Sequence, residues 1–510
     1  MGTFAGIEMR GITKRFGSNC ATSAVDFEVK PGEIVGLLGE NGAGKTTLMN
    51  ILYGLYQADE GTILVGGKET RIASPRDALR AGIGMVHQHF MLVQNHTVAE
   101  NVALGWDKAP FFFPVKKTRT KIEEFGKSFG LQVDPDAPVW QLSAGEQQRV
   151  EIVKALIYGA ELLILDEPTS VLTPIEAKEL FITLRAMAAQ GKAVIIISHK
   201  LEEITDICTR MVILRKGANS GTADPATTSR EELAKMMVGR EVILQMERPV
   251  LPRGEEVLVV ENLAVPGDRG SEAVHSVSLS LYRNEIFGIA GVSGNGQREL
   301  VEAITGLRKP KAGTIRLQGR EIQGESARTL SKLGIAHVPE ERIKFGIVPN
   351  LLIYENSVLK SHHNKPFSNK LFLDYEVIRS HAEDIVDGYS VAAPSIDSPM
   401  KNLSGGNIQK LIIGREIANG PALLVASHPT YGLDVGATEY IRRRLLDRRN
   451  GGGAILLVSE DLEELYALCD RLAVMYRGRV MGIVEPSKTP VQDVGLMMAG
   501  ALQLPQEVRA

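Results

Sequence analysis

The residues best able to do chemistry in this 510-residue chain form one glycine-rich run. Gly39-Glu40-Asn41-Gly42-Ala43-Gly44-Lys45-Thr46 fits GxxxxGK[ST] between a strand-length apolar segment, Glu33 to Leu38, and a segment from Lys45 to Leu55 that reads as a helix. Such a run binds phosphate. Its glycines let backbone N–H groups turn inward around the phosphates, the helix start adds positive dipole, Lys45 supplies a cation and the Thr46 hydroxyl can ligate Mg²⁺. A second apolar run, Leu162 to Leu165, ends in Asp166 and Glu167, placed to hold Mg²⁺ through water and to polarise a water attacking the γ-phosphate. An acidic pair after a strand is more often a solvated helix cap, and it gains weight here because Lys45 precedes it on the same expected sheet. Gln88 and His199 each end a further apolar run, so all these groups converge on the carboxyl edge of a sheet, where open α/β folds bind ligands.

The elements that position them follow from period and punctuation. Leu162 to Leu165 and Ala193 to Ile197 are continuous apolar runs without alternation, as strands buried on both faces of a parallel sheet require, and the fold class is α/β. The arrangement occurs twice. GLLGENGAGKTTL from Gly36 matches GIAGVSGNGQREL from Gly288, and GIGMVHQ ending at Gln88 matches GIAHVPE ending at Glu340, both at an offset of 252. LSAGEQQR from Leu142, LLILDEPT from Leu162 and IIISHKLEE from Ile195 match LSGGNIQK from Leu403, LLVASHPT from Leu423 and LLVSEDLEE from Leu456 at 261, so the second copy carries nine extra residues between Glu340 and Leu403. The copies are expected at 5–246 and 257–503, joined by a short polar linker at 247–256. Cys208 and Cys469 correspond at 261 as well, which predicts buried, inert thiols.

The second copy has lost the chemistry. Gln297 stands for Lys45, Arg298 for Thr46, Glu340 for Gln88, Ser427 for Asp166, His428 for Glu167 and Glu460 for His199. Without the cation and the metal carboxylate, and with two acids where a triphosphate would sit, this copy should not hydrolyse ATP, although Arg298 leaves weak nucleotide binding open.

Composition removes several alternatives. Lys+Arg total 58 against 61 Asp+Glu, a net charge of -3 that gives no electrostatic footprint for nucleic acid or anionic lipid. Hydrophobic residues at 44%, charged residues at 23% and 23 prolines describe a globular chain rather than a disordered one. Three scattered cysteines form no metal-ligand spacing, and the apolar runs are too short to span a membrane. Met1 to Arg10 lacks the apolar core of an export signal, and Gly6 stands where a myristoylation motif wants Ser or Thr.

Taken in order, phosphate loop, Gln88, Leu142-Ser143-Ala144-Gly145-Glu146, Asp166-Glu167 and His199 resemble the ATP-binding-cassette ATPases over nearly the whole chain, once per copy. LSAGE is similar to that family's LSGGQ segment, and Leu403-Ser404-Gly405-Gly406-Asn407 is more similar still. The resemblance implies two tandem P-loop cassette domains, each a mainly parallel sheet core with a helical subdomain and an antiparallel β subdomain. It implies ATP and Mg²⁺ as cofactors, with Gly39, Glu40, Asn41, Gly42, Ala43, Gly44, Lys45, Thr46 and Thr47 around the nucleotide and Phe16 stacked on adenine. Thr46, Gln88 and Asp166 would serve the metal, and Glu167, His199 and Gln88 the reaction. In such proteins nucleotide is sandwiched between the loop of one copy and the LSGGQ segment of the other. The intact loop of the first copy would then meet Ser404, Gly405, Gly406 and Asn407 of the second, where Asp434 is also kept, while LSAGE and Thr173 would meet the ruined loop.

Two fused cassettes with no membrane span resemble the ATPase subunits of bacterial importers for simple sugars and nucleosides. MVHQHFMLV from Met85 and LLVASHPTYGLDVGA from Leu423 are more similar to the nucleoside branch. That implies two membrane-spanning permease subunits and a substrate-binding protein as partners, no nucleic acid, pairing of the two cassettes, and a peripheral position on the cytoplasmic face of the bacterial plasma membrane. Phe111-Phe112-Phe113-Pro114 would lie in the part that meets the permease. The alternative is a soluble tandem cassette acting on ribosomes. Those proteins normally keep two working sites and a long charged linker, whereas here one site is ruined and the linker is short.

Overall fold

The computed structural model describes residues 6–504 apart from 18, 88, 89, 107–113, 170, 171, 173, 199, 243–245, 247, 269 and 370. The chain divides into two compact units, Met1–Val242 and Ile243–Ala510. In the first, six strands form one sheet in the order Ala218–Ala223, Arg210–Arg215, Ile34–Leu38, Ala193–Ile197, Leu162–Asp166 and Ile83–Val86. All neighbours are parallel except the first pair. The three central strands are buried at every residue, which explains their unbroken apolar sequence. A separate antiparallel sheet, ordered Asn19–Val29, Ile7–Phe16, Glu60–Val65 and Lys68–Glu69, contributes Ile7, Val25 and Phe27 to a core shared with Leu37, Ile164 and Ile195 and with Leu48 and Leu52 of the helix Lys45–Leu52. Each such side chain taken from water stabilises the unit by roughly 1.5–3 kcal/mol.

The second unit repeats this order strand for strand: Arg479–Val484, Arg471–Tyr476, Glu285–Ala290, Ala454–Val458, Leu423–Ser427 and Ile335–Val338. Successive residues of one strand serve opposite cores. Leu424, Ala426, Ile455 and Leu457 pack with Leu411 and Ile412 of the helix Gly405–Ala418, while Val425, Leu456 and Val458 pack with Leu300 and Val301 of the helix Gln297–Ile304. Cys208 and Cys469 are buried against Gly36 and Gly288, where a Cβ on either glycine would press on the sulfur. Burial pushes the Cys208 thiol up to about 12 and raises Cys469 as well, so both are inert at neutral pH.

The nine-residue difference splits in two. Asn101 and Asn356 hold equivalent turns, each accepting from the backbone N–H of a valine (Val93 and Val348) and donating back to that valine's carbonyl, at an offset of 255. The offset is still 252 at Val86 and Val338 and has become 261 at Val139 and Met400. Three inserted residues therefore lie before Asn356, in the stretch containing the π-helical turn Arg342–Gly346, and six lie after it. The helix expected over Lys45 to Leu55 ends at Leu52 instead, because Gly54 takes φ 79° and its N–H closes onto the Ile51 carbonyl.

Candidate functional site

The strand Ile34–Leu38 delivers the chain to the carboxyl edge of the first sheet, and the loop that follows is shaped by glycine. Gly39 has φ 152° and Gly44 has φ 97°; a Cβ at Gly39 would collide with the Leu214 carbonyl, and one at Gly44 with the Ala21 carbonyl. Gly44 caps the helix that begins at Lys45. The Lys45 side chain is buried, and its Nζ donates to the carbonyls of Gly39 at 2.8 Å and Glu40 at 3.0 Å. A fixed ammonium and a helix start thus share one curved segment, while Thr46 remains exposed.

Asp166 ends its strand paired with Ile197, whose strand in turn pairs with Leu37, so the acid and the loop stand at the same edge. Burial pushes the Asp166 carboxyl up to about 6; the Glu167 charge adds to this and Lys45 opposes it. A carboxyl held in this way gains from a cation. One hard oxygen donor there and the exposed Thr46 hydroxyl at the loop fit Mg²⁺, which keeps waters and phosphate oxygens as its other ligands. Glu167 has φ 51°, a left-handed conformation that is strained for a residue with a side chain and collects at functional sites. Gln88 and His199, each expected to end an apolar strand, lie outside the described residues, as do Thr173 and Phe111 to Phe113; the strands themselves end at Val86 and Ile197.

Phe16 is 45% exposed at the end of its strand, with Tyr56 edge-on at 5.3 Å and the Lys14 ammonium 5.6 Å from its ring centre. It is a surface platform rather than a core residue, and Tyr56 is a partner that sequence reasoning missed.

The second loop keeps the backbone and changes the contents. Gly296 caps its helix at φ 97°, ψ 1°, the values found at Gly44. Gln297 reproduces one Lys45 contact, donating to the Val292 carbonyl at 3.1 Å, without the charge. Arg298 turns to acids: its Nε donates to Glu302 at 2.8 Å and its Nη1 lies 3.5 Å from Asp268, just after the strand Glu256–Pro266. Arg308 closes the same network onto Asp268 at 2.6 Å and Glu302 at 2.7 Å. What remains between Gly291, Gln297, Glu340, His428 and Glu460 is a hollow of about 40 Å³, far below the size of a small-ligand site. Burial raises the Glu460 carboxyl, His428 opposes that shift and Glu340 adds to it.

The two LSGGQ-like segments differ in charge. Each serine caps a 14-residue helix, Ala144–Ile157 or Gly405–Ala418. Ser143 is closed in a capping box by Glu146, whose carboxylate accepts from the Ser143 N–H at 2.8 Å and is held below its ordinary pKa by that bond. Ser404 is met by the neutral Asn407, whose Nδ2 donates to the serine hydroxyl at 2.9 Å. A helix start without a carboxylate favours an anion, and one that carries a carboxylate opposes it.

A positioning contact also escaped the sequence. The buried Thr169 hydroxyl donates to Glu203, tying the loop after Asp166-Glu167 to the helix Leu201–Ile207, and Thr430 donates to Glu464 at 2.6 Å in the second unit. The signal was present: both residues persist at the 261 offset where the catalytic ones do not.

The family described as ABC transporter matches residues 22–170 and 274–431. The guanosine import ATP-binding protein NupO of Bacillus subtilis is 46% identical, the match covering 98% of each chain. The nucleoside import ATP-binding protein NupA of Lactococcus lactis is 44% identical over 97% of this chain and 98% of its own. The glucose import ATP-binding protein TsgD13 of Haloferax volcanii is also 44% identical, over 97% and 96%. Among solved structures, the archaeal ribosome recycling factor aABCE1, in complex with the stalk protein aP1, aligns with a TM-score of 0.63 at 20% identity, covering 96% of this chain and 92% of that one; this likeness shows the fold alone.

Proposed function

The chain belongs to the ABC transporter family and is an ATP-hydrolysing subunit that drives import, and from that premise we propose that its cargo is a nucleoside. The full-length match to a guanosine import protein carries this reading, and a second nucleoside importer supports it. Among the described residues no helix is long and apolar enough to cross a membrane, so the pathway would come from two membrane-spanning permease subunits, with a substrate-binding protein delivering cargo. The subunit would then sit peripherally on the cytoplasmic face of the plasma membrane.

One working ATP site accounts for the asymmetry. Lys45 and the loop amides would hold the phosphates, Phe16 would stack on adenine, and Thr46, Asp166 and Gln88 would serve Mg²⁺. Mg²⁺ would bridge the phosphate oxygens and neutralise charge developing on them. Glu167 would orient the attacking water, with His199 at the γ-phosphate. Ser404, Gly405, Gly406 and Asn407 would complete the site, a role supported by the absence of any carboxylate at that helix start. Domain limits of 5–246 and 257–503, with a linker at 247–256, go with this reading.

The test is to purify the chain with its membrane partners and measure ATP turnover with binding protein loaded with guanosine or with glucose. Stimulation by guanosine alone is the expected result. Stimulation by glucose alone would transfer the reading to sugars, as the relative TsgD13 suggests.

A further inference from the structure

Beside the degenerate loop the second unit holds a cavity of about 550 Å³, within the size range of small-ligand sites, with apolar walls from Val301, Leu330, Ile335 and Phe345. One part of its lining adjoins the degenerate loop. Arg298, Glu340 and Ser427 line both this cavity and the small hollow of the degenerate loop, so they mark the end next to that loop. Arg328, His362 and His363 line the cavity but not the hollow; the two imidazole rings lie 5.3 Å apart and the Arg328 charge acts on His363.

Two cations of the lining are already matched. Arg298 is engaged by Glu302 and Asp268, and Lys360, also in the lining, is engaged by the buried Glu416 at 2.8 Å. His363 is different. The Nε2 of His363 is shielded from solvent without a hydrogen-bond partner. Burial lowers the pKa of that imidazole, and the charges of Arg328, His362 and Lys332 lower it further. A shielded ring nitrogen among cations is a place where an anion is favoured, because the anion offsets the repulsion and accepts a hydrogen bond. Glu340 at the loop end offers a carboxylate to N–H donors.

We propose that this cavity binds a nucleoside monophosphate, with the phosphate among Arg328, His362 and His363 and the base against Val301, Leu330 and Ile335, its amino edge toward Glu340. The choice of a nucleoside phosphate over other flat anions rests on the nucleoside-import reading. A nucleoside that has been imported and then phosphorylated by a kinase reaction would in this way act on the subunit that drives its entry. The route lies in the cavity wall. Glu341 and Phe345 belong to the segment around the turn Arg342–Gly346. Arg342 Nη1 donates to the Tyr431 carbonyl at 2.8 Å and its guanidinium lies against Gly405, while Arg415 of the same helix donates to the Gly346 carbonyl at 3.0 Å. An occupant pressing on Phe345 therefore bears on the segment that presents Ser404 to Asn407.

The experiment titrates guanosine 5′-monophosphate, guanosine and ribose 5-phosphate into the full-length, nucleotide-free protein by calorimetry. One guanosine monophosphate per chain is expected, with guanosine and ribose 5-phosphate each at least about tenfold weaker. Arg328→Gln and His363→Gln each weaken binding about tenfold, Ser331→Trp on the exposed rim of the cavity abolishes it, and Lys45→Ala leaves it unchanged. Absence of binding overturns the proposal, as does binding lost in Lys45→Ala or unaltered in both Arg328→Gln and Ser331→Trp. A cavity that refuses all three compounds and is covered only when membrane partners bind overturns it in favour of a protein contact. Failure of the nucleoside-import reading shows up separately, in the cargo-stimulated ATP turnover described above.

Discussion

The two phosphate loops of this chain share a backbone and little else. Gly44 and Gly296 have the same dihedral angles, and a Cβ on either would strike an equivalent carbonyl, that of Ala21 or of Ala273. Packing therefore requires glycine at position 296 whether or not a cation and carboxylates accompany it. A glycine pattern reports backbone shape. On the proposed reading, nucleotide chemistry would reside in a few side chains: Lys45 against Gln297, Asp166 against Ser427, and Glu167 against His428, the last pair sharing even the left-handed backbone at φ 51° and 46°.

The largest effect that could break this comparison is on turnover. Glu167→Gln or Lys45→Ala should lower ATP hydrolysis by the assembled transporter about 10²- to 10⁴-fold, read by phosphate release, while Gln297→Ala and His428→Gln should leave it within about threefold. Similar losses in both sets would make the units equal partners and end the asymmetry.

Stability is the next lever. Asp166 keeps its proton to about pH 6 when folded, against an ordinary value of 3.8, so its contribution is present below pH 4 and lost as pH rises through 6. Asp166→Asn should therefore stabilise the nucleotide-free protein at pH 7.5 by about 3 kcal/mol and change nothing at pH 4, measured by thermal unfolding. Ser427→Asn in the second unit should show no such pH dependence. A gain that is equal at both pH values would contradict the cause assigned.

The smallest effect concerns a feature the units share. Cys208 and Cys469 should both resist maleimide labelling in the native protein at pH 7.5 while the exposed Cys20 reacts, counted by mass spectrometry. Labelling of one buried thiol alone would show that the two cores are not equivalent.

Much of this was legible in the sequence. The offsets of 252 and 261 locate every central strand because those strands are apolar on both faces, and few substitutions are tolerated there. The split of the insertion at Asn356 was missed: Val93, Asn95, Glu100, Asn101 and Leu104 match Val348, Asn350, Glu355, Asn356 and Leu359 at 255, but as scattered identities rather than one continuous run. Nor was the fate of Arg298. Its acidic partners Asp268 and Glu302 lie on different elements, and only the fold shows that the arginine left in a ruined loop is occupied. The exposure of Phe16 belongs to the same class, since a strand end facing solvent and one facing a core read alike. Glu146 and Asn407 were visible as letters, but their meaning depended on which group closes onto the capping serine.

The central claim, one ATP site built from the first loop and the second LSGGN segment, is tested most directly by ATP turnover of Ser404→Arg beside Ser143→Arg in the transporter with its partners bound. The account predicts that Ser404→Arg abolishes turnover about as fully as Glu167→Gln and that Ser143→Arg does much less. Equal damage from the two serine substitutions would contradict it.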